Sequence, residues 1–344
     1  MSTHPINRRD TARAALRLRS PSSGFTLIEL MIAMLLGLIV IAGVVSVFLA
    51  TQRSYRTNEA LGDVQEGSRI AFELMARDIR DAGLTGCNNN GRVANVLNPD
   101  ATNWWADWGN AVHGYDGTQT DPAVAIGTTT GTRVTGTDSL TLLGAANTGL
   151  SVASSNANSA NFKLNDKTTD LQGGDVIIVC DPDHAAMMQI SNYNSSNVTV
   201  VHNTGTGSPG NCSKGLGYPS VCTTNGNSYE FGPNSQMFKL VAADWYIGNN
   251  GTGSSLYRVE VDTTGAAVAY PKSEMVRGVT GMAISYHQTG GVAFVLPAAV
   301  ADWSTVDAVQ VKLTLQSTDQ RAGTDVKPLT RLFTATTTVR NRVK

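Results

Sequence analysis

Residues 30–50 form a run of 21 positions without a charge. At 1.5 Å rise per residue such a run makes a helix of about 30 Å, the hydrocarbon thickness of a bilayer. Over residues 51–84 the chain turns polar but keeps an apolar set at Leu61, Val64, Ala71, Met75, Ile79 and Ala82, spaced for one face of a helix. That segment has no proline, and Gly83 stands where a helix would end. The pattern predicts one helix over about residues 25–82, membrane anchor in its first half (25–50) and amphipathic spine in its second (51–84). Gly37 and Gly43 fall in the apolar half, where they either weaken the helix by up to ~1 kcal/mol each relative to alanine in water or allow close helix contacts.

Past residue 84 the texture shifts to Gly, Thr, Asn and Ser with short apolar or alternating runs. Residues 139–143, 175–179, 198–202, 237–242, 256–261, 282–287, 308–316 and 333–340 read as strands. Between them "NTGLSVASSNANSANF" and "NTGTGSPGNCSKGLGYPSVCTTNGNSYEFGPNS" read as long loops. The expected class is α+β, one long N-terminal helix packed on a large antiparallel β-rich head spanning 85–344. About 260 residues lie past the helix, enough for one substantial core or two closely packed β lobes.

Charge orients the anchor. Arg8, Arg9, Arg13, Arg17 and Arg19 stand against Asp10, so residues 1–24 carry +4 and are expected to stay cytoplasmic, with the head outside. An ordinary secretory signal puts its small-residue cleavage site after the apolar core. Here Ser22, Ser23 and Gly24 precede it, so a cut after Gly24 removes the basic leader 1–24 and keeps the membrane helix. Glu29 lies at the start of that helix. A carboxylate within a membrane helix costs roughly 2.5 to 3.5 kcal/mol on insertion scales, which makes it a functional position with a cation to be found. The amine freed on Phe25 by that cut is the candidate. The whole chain carries −1, so loss of the +4 leader leaves −5, without a basic stripe.

Gly24, Phe25, Thr26, Leu27, Ile28 and Glu29 ahead of a long apolar run resemble the class III signal of type IV pilins and type II secretion pseudopilins. The resemblance implies cleavage after Gly24 and N-methylation of Phe25 by a prepilin peptidase. It also implies a pilin-like fold, and an assembly role for Glu29, Leu30, Gly37 and Gly43, the acid meeting the amine of a neighbouring subunit as the chain leaves the membrane for a fibre.

Cys87, Cys180, Cys212 and Cys222 lie in the exported part, where disulfides form, and four cysteines allow three connectivities. The ten-residue step from Cys212 to Cys222 favours a local bridge, which leaves Cys87 with Cys180; free thiols are the alternative. Asp181, Asp183 and His184 beside Cys180 are metal-ligand types, although a turn after a strand explains Asp-Pro-Asp equally well. Asp116 and Asp121 are weak calcium candidates without EF-hand spacing. GxSxG and phosphate-binding glycine loops are missing from the sequence, His113, His184, His202 and His287 are scattered, and no catalytic role or cofactor is expected. Trp104, Trp105 and Trp108 form either core filling against the helix or an interface surface. No basic groups accompany them, which argues against nucleic acid.

The large head, with "RDIRDAGLTGC" and "DVIIVCDPDHAAMMQI", is similar to the PilW type of minor pilin. That resemblance implies partners in other minor pilins, the major pilin, prepilin peptidase and the inner-membrane assembly platform. It implies location in the bacterial inner membrane before assembly and at or near the pilus tip afterwards. A tip adhesin and a large pseudopilin of type II secretion are the alternative readings. The pseudopilin at the extreme tip of a secretion fibre usually lacks the acid that Glu29 supplies, so Glu29 favours a subunit with a neighbour above it.

Overall fold

The computed structural model describes residues 24–87, 92–98, 103–205, 207–264, 267–323 and 325–342. Residues 1–23 of the leader, with its five arginines, lie outside the described residues. The chain divides into two compact units, Met1–Ser54 and Tyr55–Lys344. Helix α1 (Leu27–Asp81) supplies the described helix of the first unit and continues into the second.

In the first unit α1 is long and apolar enough to cross a membrane. Its large side chains, Leu30, Met34, Ile39, Val44 and Phe48 among them, are exposed. Space around Gly37 and Gly43 is open. This exposed surface has the composition that lipid or other helices would cover.

In the second unit α1 buries Ala60, Val64, Ser68, Ala71, Met75, Ala76 and Ile79, at spacings that follow the helical period. The helix stops at Asp81, and Gly83 takes φ +71°, a left-handed conformation that glycine adopts at low cost. The Gly83 amide then donates to Leu143 O at 2.7 Å, so the chain leaves the helix onto the sheet.

The strands follow in chain order: β1 (Val93–Asn95), β2 (Val112–Tyr115), β3 (Ser139–Asn156), β4 (Asn161–Leu164), β5 (Val176–Cys180), β6 (Ala185–Gln189), β7 (Asn192–Asn194) and β8 (Thr199–Val201). After them come β9 (Gln236–Asn249), β10 (Ser254–Glu260), β11 (Lys272–Arg277), β12 (Val279–Gln288), β13 (Val306–Gln316) and β14 (Thr330–Thr338). One sheet runs β1-β6-β5-β9-β3-β4-β8-β7, with β10 and β11 extending from β9 and β2 pairing with β3. A second sheet is β12-β13-β14. Every pairing is antiparallel except β1 with β6.

Each of the eight strand windows read from sequence falls on a strand, and the fold is the expected α+β arrangement. The segment "NTGLSVASSNANSANF" departs from the expectation of a loop. β3 continues through it to Asn156, and β4 starts at Asn161. Leu150 and Val152 point into a core while the polar residues between them face outward, and the register shift against β9 between Asn147 and Leu150 absorbs Gly149. The longer segment, 203–235, carries no strand among its described residues.

Val64, Ala71, Met75 and Ile79 share one core with Leu140, Leu142, Trp245 and Leu256 of the large sheet and Ile284, Val309, Val311 and Leu313 of the small one. A second core gathers Val152, Phe162, Ile177, Val200, Phe231 and Met237 on the far part of the large sheet. A polar clamp fixes the helix to the large sheet. Asp78 Oδ2 accepts from Trp245 Nε1 at 2.9 Å and from Arg258 Nε at 2.7 Å, with both charged side chains more than four-fifths buried. Asp78→Ala leaves Arg258 with the exposed Glu260 and the Trp245 ring face, and strands the indole N–H. Loss of a fully buried partner costs 3 to 5 kcal/mol, and residual solvent access brings the expected loss to about 2 kcal/mol, read by denaturant unfolding.

Candidate functional site

Thr26 and Glu29 build the start of α1. Glu29 N donates to Thr26 Oγ1 at 3.2 Å, and Glu29 Oε2 accepts from Thr26 N at 3.2 Å and Thr26 Oγ1 at 3.1 Å. This reciprocal pattern is a capping box, with Thr26 as N-cap and Glu29 at the third helical position. A negative charge in the first turn also suits the positive end of the helix dipole. The Thr-x-x-Glu spacing ahead of an apolar run is the sequence signature of such a cap, a signal the reading of Glu29 as an intramembrane acid passes over. The carboxylate therefore rests on the amide that joins Phe25 to Thr26. Phe25 is 87% exposed, and Gly24 before it lies in non-regular chain, both open to an enzyme that cuts between them.

On the head, Cys87 bonds to Cys180 and Cys212 to Cys222. The first bridge ties the chain just past α1 to the end of β5, with Cα atoms 5.9 Å apart. Gly86 leads into it at φ +89°, and a Cβ at that position would run into the Phe238 ring.

The calcium candidates are not brought together. Asp116 Oδ1 caps its own exposed turn, accepting from Thr118 N, Thr118 Oγ1 and Gln119 N. Asp121 is buried, bonded to Ser139 Oγ and Ala123 N. Among the described residues no group of three or more His, Cys, Asp or Glu is arranged to hold a metal ion. Asp181, Asp183 and His184 form the turn between β5 and β6. Asp181 accepts from Asp183 N and from Tyr229 Oη, His184 bonds to Leu216 O, and Arg92 pairs with Asp183 at 2.6 Å.

Two of the three tryptophans serve as core filling, since Trp105 is fully buried and Trp104 only 8% exposed. They pack on Leu143, Val176, Ile178, Cys180 and Phe238 of the large sheet, not on the helix, and half-buried Trp108 joins them. Apolar area of this size is worth more inside than on a surface.

The buried polar groups of the head were not visible in the sequence. Arg133 is fully buried and donates to the carbonyls of Gln119 and Thr137 and, through a short contact, Asp116. Burial raises the carboxyl pKa of Asp121, Asp138 and, most of all, Asp244. Burial lowers the pKa of His113 and takes His202 down to about 4, so both imidazoles are neutral at pH 7.

Residues 19–45 match the family model described as the prokaryotic N-terminal methylation motif. That motif is the class III prepilin signal, and it supports a type IV pilin or pseudopilin processed by prepilin peptidase and assembled at the membrane with other pilins. No curated protein matches the chain.

Proposed function

We propose that the chain is a minor pilin of the PilW type, non-catalytic, which helps to prime type IV pilus assembly and stays at or near the tip. The observation that carries the reading is Glu29 held at the head of an apolar helix that is exposed among the described residues, on the amide of Thr26, one residue past the proposed cut after Gly24. Before assembly the carboxylate is satisfied within its own subunit by the cap. In the fibre it exchanges Thr26 for the amine of a neighbouring subunit, a charge-assisted pair roughly twice as strong as a neutral hydrogen bond. The exposed apolar residues and the open space at Gly37 and Gly43 supply the helix contacts. The partners are other minor pilins and the major pilin, drawn from the inner membrane at the assembly platform.

Surface fibres counted by electron microscopy, with sheared pilin quantified by immunoblot, test this reading. A deletion strain is expected to be nearly bald and to recover with the wild-type gene. Glu29→Ala removes both cap and charge, whereas Glu29→Gln keeps an acceptor for Thr26 and removes only the charge. Neither is expected to restore fibres. Recovery with Glu29→Gln would reduce the acid to a helix cap and sink its pairing role. Normal fibres in the deletion strain would overturn priming; a secretion defect beside them would mark a type II pseudopilin.

A further inference from the structure

The head carries a cleft of about 540 Å³ that the assembly reading does not use. Its wall includes Asn103, Trp104, Asp107, Asn110, His113 and Tyr115. The volume lies in the roughly 300 to 1,000 Å³ range of small-molecule sites.

The wall is braced from behind. Two short 3-10 turns, Trp104–Ala106 and Trp108–Asn110, present Asn103, Asp107 and Asn110, and buried Trp105 pins them to the sheet while donating to Tyr270 Oη at 3.3 Å. Asn110 Nδ2 donates to Asp107 at 2.7 Å. His113 sits between rings, 4.5 Å from Tyr115 and 4.4 Å from Trp303. Two buried polar atoms of the wall, Trp104 Nε1 and His113 Nδ1, have no hydrogen-bond partner among the described residues. An indole N–H can only donate, and leaving it unpaired costs stability that packing alone does not require.

We propose that this cleft binds a neutral saccharide, with the half-exposed Tyr115 ring against a sugar C–H face and the asparagines, Asp107 and the unpaired indole N–H serving sugar hydroxyls. Asparagine offers both donors and an acceptor, as a sugar hydroxyl does. Among the described lining residues there is no lysine or arginine, Asp107 is the one acid, and His113 is kept neutral by burial. Phosphate, sulfate and sialic acid groups therefore meet no countercharge. The inference stands apart from pilus priming, since fibre counts and saccharide binding are separate readouts and either can fail alone.

The test applies the full-length protein, in detergent micelles, to a printed array of neutral, sialylated and sulfated glycans, with calorimetry on those that bind. Neutral glycans are expected to bind. Trp104→Phe removes an N–H that no described protein group uses and part of a packed ring, so the melting temperature should fall modestly, with the fold retained, while affinity falls about tenfold. Asn103→Ala, at a half-exposed position, should weaken binding similarly. Neutral-glycan binding that weakens in either variant, with the fold intact, carries the proposal. Binding of acidic glycans alone, no neutral glycan on the array, or neutral binding unchanged in both variants overturns it.

Discussion

Replacing Cys87 and Cys180 together with serine is expected to lower the stability of the head by about 4 to 5 kcal/mol. The bridge closes a loop of 93 residues, and the chain-entropy treatment assigns about that much to a loop of such length. Cys180 is fully buried and Cys87 packs on the same cluster as Trp105 and Phe238, so two serines also put hydroxyls into apolar surroundings. The bridge ties the exit of α1 to β5, which pairs directly with the long central strand β9. Losing it frees the junction that the helix end otherwise shares with Gly83 on Leu143 O and Asn341 on Gly83 O. The second bridge provides the internal control. Its separation is 10 residues, so the same treatment gives only ~3 kcal/mol, and it clips a loop without strands. Guanidinium unfolding of the full chain in micelles, followed by tryptophan fluorescence, should therefore order the proteins as wild type, Cys212→Ser/Cys222→Ser, then Cys87→Ser/Cys180→Ser. Equal losses for the two pairs would mean that loop length does not govern them.

What was legible in the sequence was what neighbours along the chain decide. The helix was readable because a membrane-length apolar run and a 3.6-residue stripe are properties of contiguous residues, and Gly83 marks its end by backbone preference. Strands with clear runs, such as residues 308–316 within β13, were equally plain. The missed strands lack the signal for physical reasons. β6 is buried at every position, so "AAMMQ" shows no alternation, and β11 is an exposed edge whose Lys272–Arg277 reads as surface. β1, β2, β4 and β7 are only three or four residues long, too short for a clear pattern, and β1 and β2 pair with partners far along the chain. The tryptophans posed a question that sequence leaves open, because core and surface clusters look alike until the sheet beneath them is known. Asp244 was invisible for a related cause. In "AADWYIG" an acid reads as an outward position, whereas β3 and β10 flank β9 on both sides and the side chain ends up fully enclosed.

That enclosure makes Asp244→Asn a stabilising substitution at neutral and alkaline pH. Neither carboxyl oxygen of Asp244 accepts from an N–H or an alcohol hydroxyl among the described residues, and its contact with the Asp121 carboxyl favours the protonated form. Burial raises its pKa well above the ordinary carboxylate value, and the nearby charge of Asp121 pushes the same way; Arg133 and Lys272 oppose them with less effect. Arg133 is engaged by the carbonyls of Gln119 and Thr137, and Tyr286 Oη, buried nearby, has no hydrogen-bond partner among the described residues. Asp244 therefore keeps its proton to a higher pH in the fold than in the unfolded chain. A raised carboxyl pKa means that the folded chain binds a proton the unfolded chain releases above about pH 4, so this contribution is complete below that pH and declines as pH rises toward the folded value. The decline is at most about 1.4 kcal/mol per pH unit for one proton. Asparagine has the same shape and never ionises. The variant and wild type should unfold at nearly the same temperature near pH 4, and the variant should gain as pH rises above that, until the gain levels off where Asp244 ionises in the fold. Because Asp121, Asp138 and Tyr246 are common to both proteins, the difference between the two profiles isolates position 244, apart from the charge that Asp121 no longer meets. A difference that is flat with pH would show that Asp244 ionises as freely in the fold as in water, and a variant losing stability as pH rises would reverse the sign of the argument.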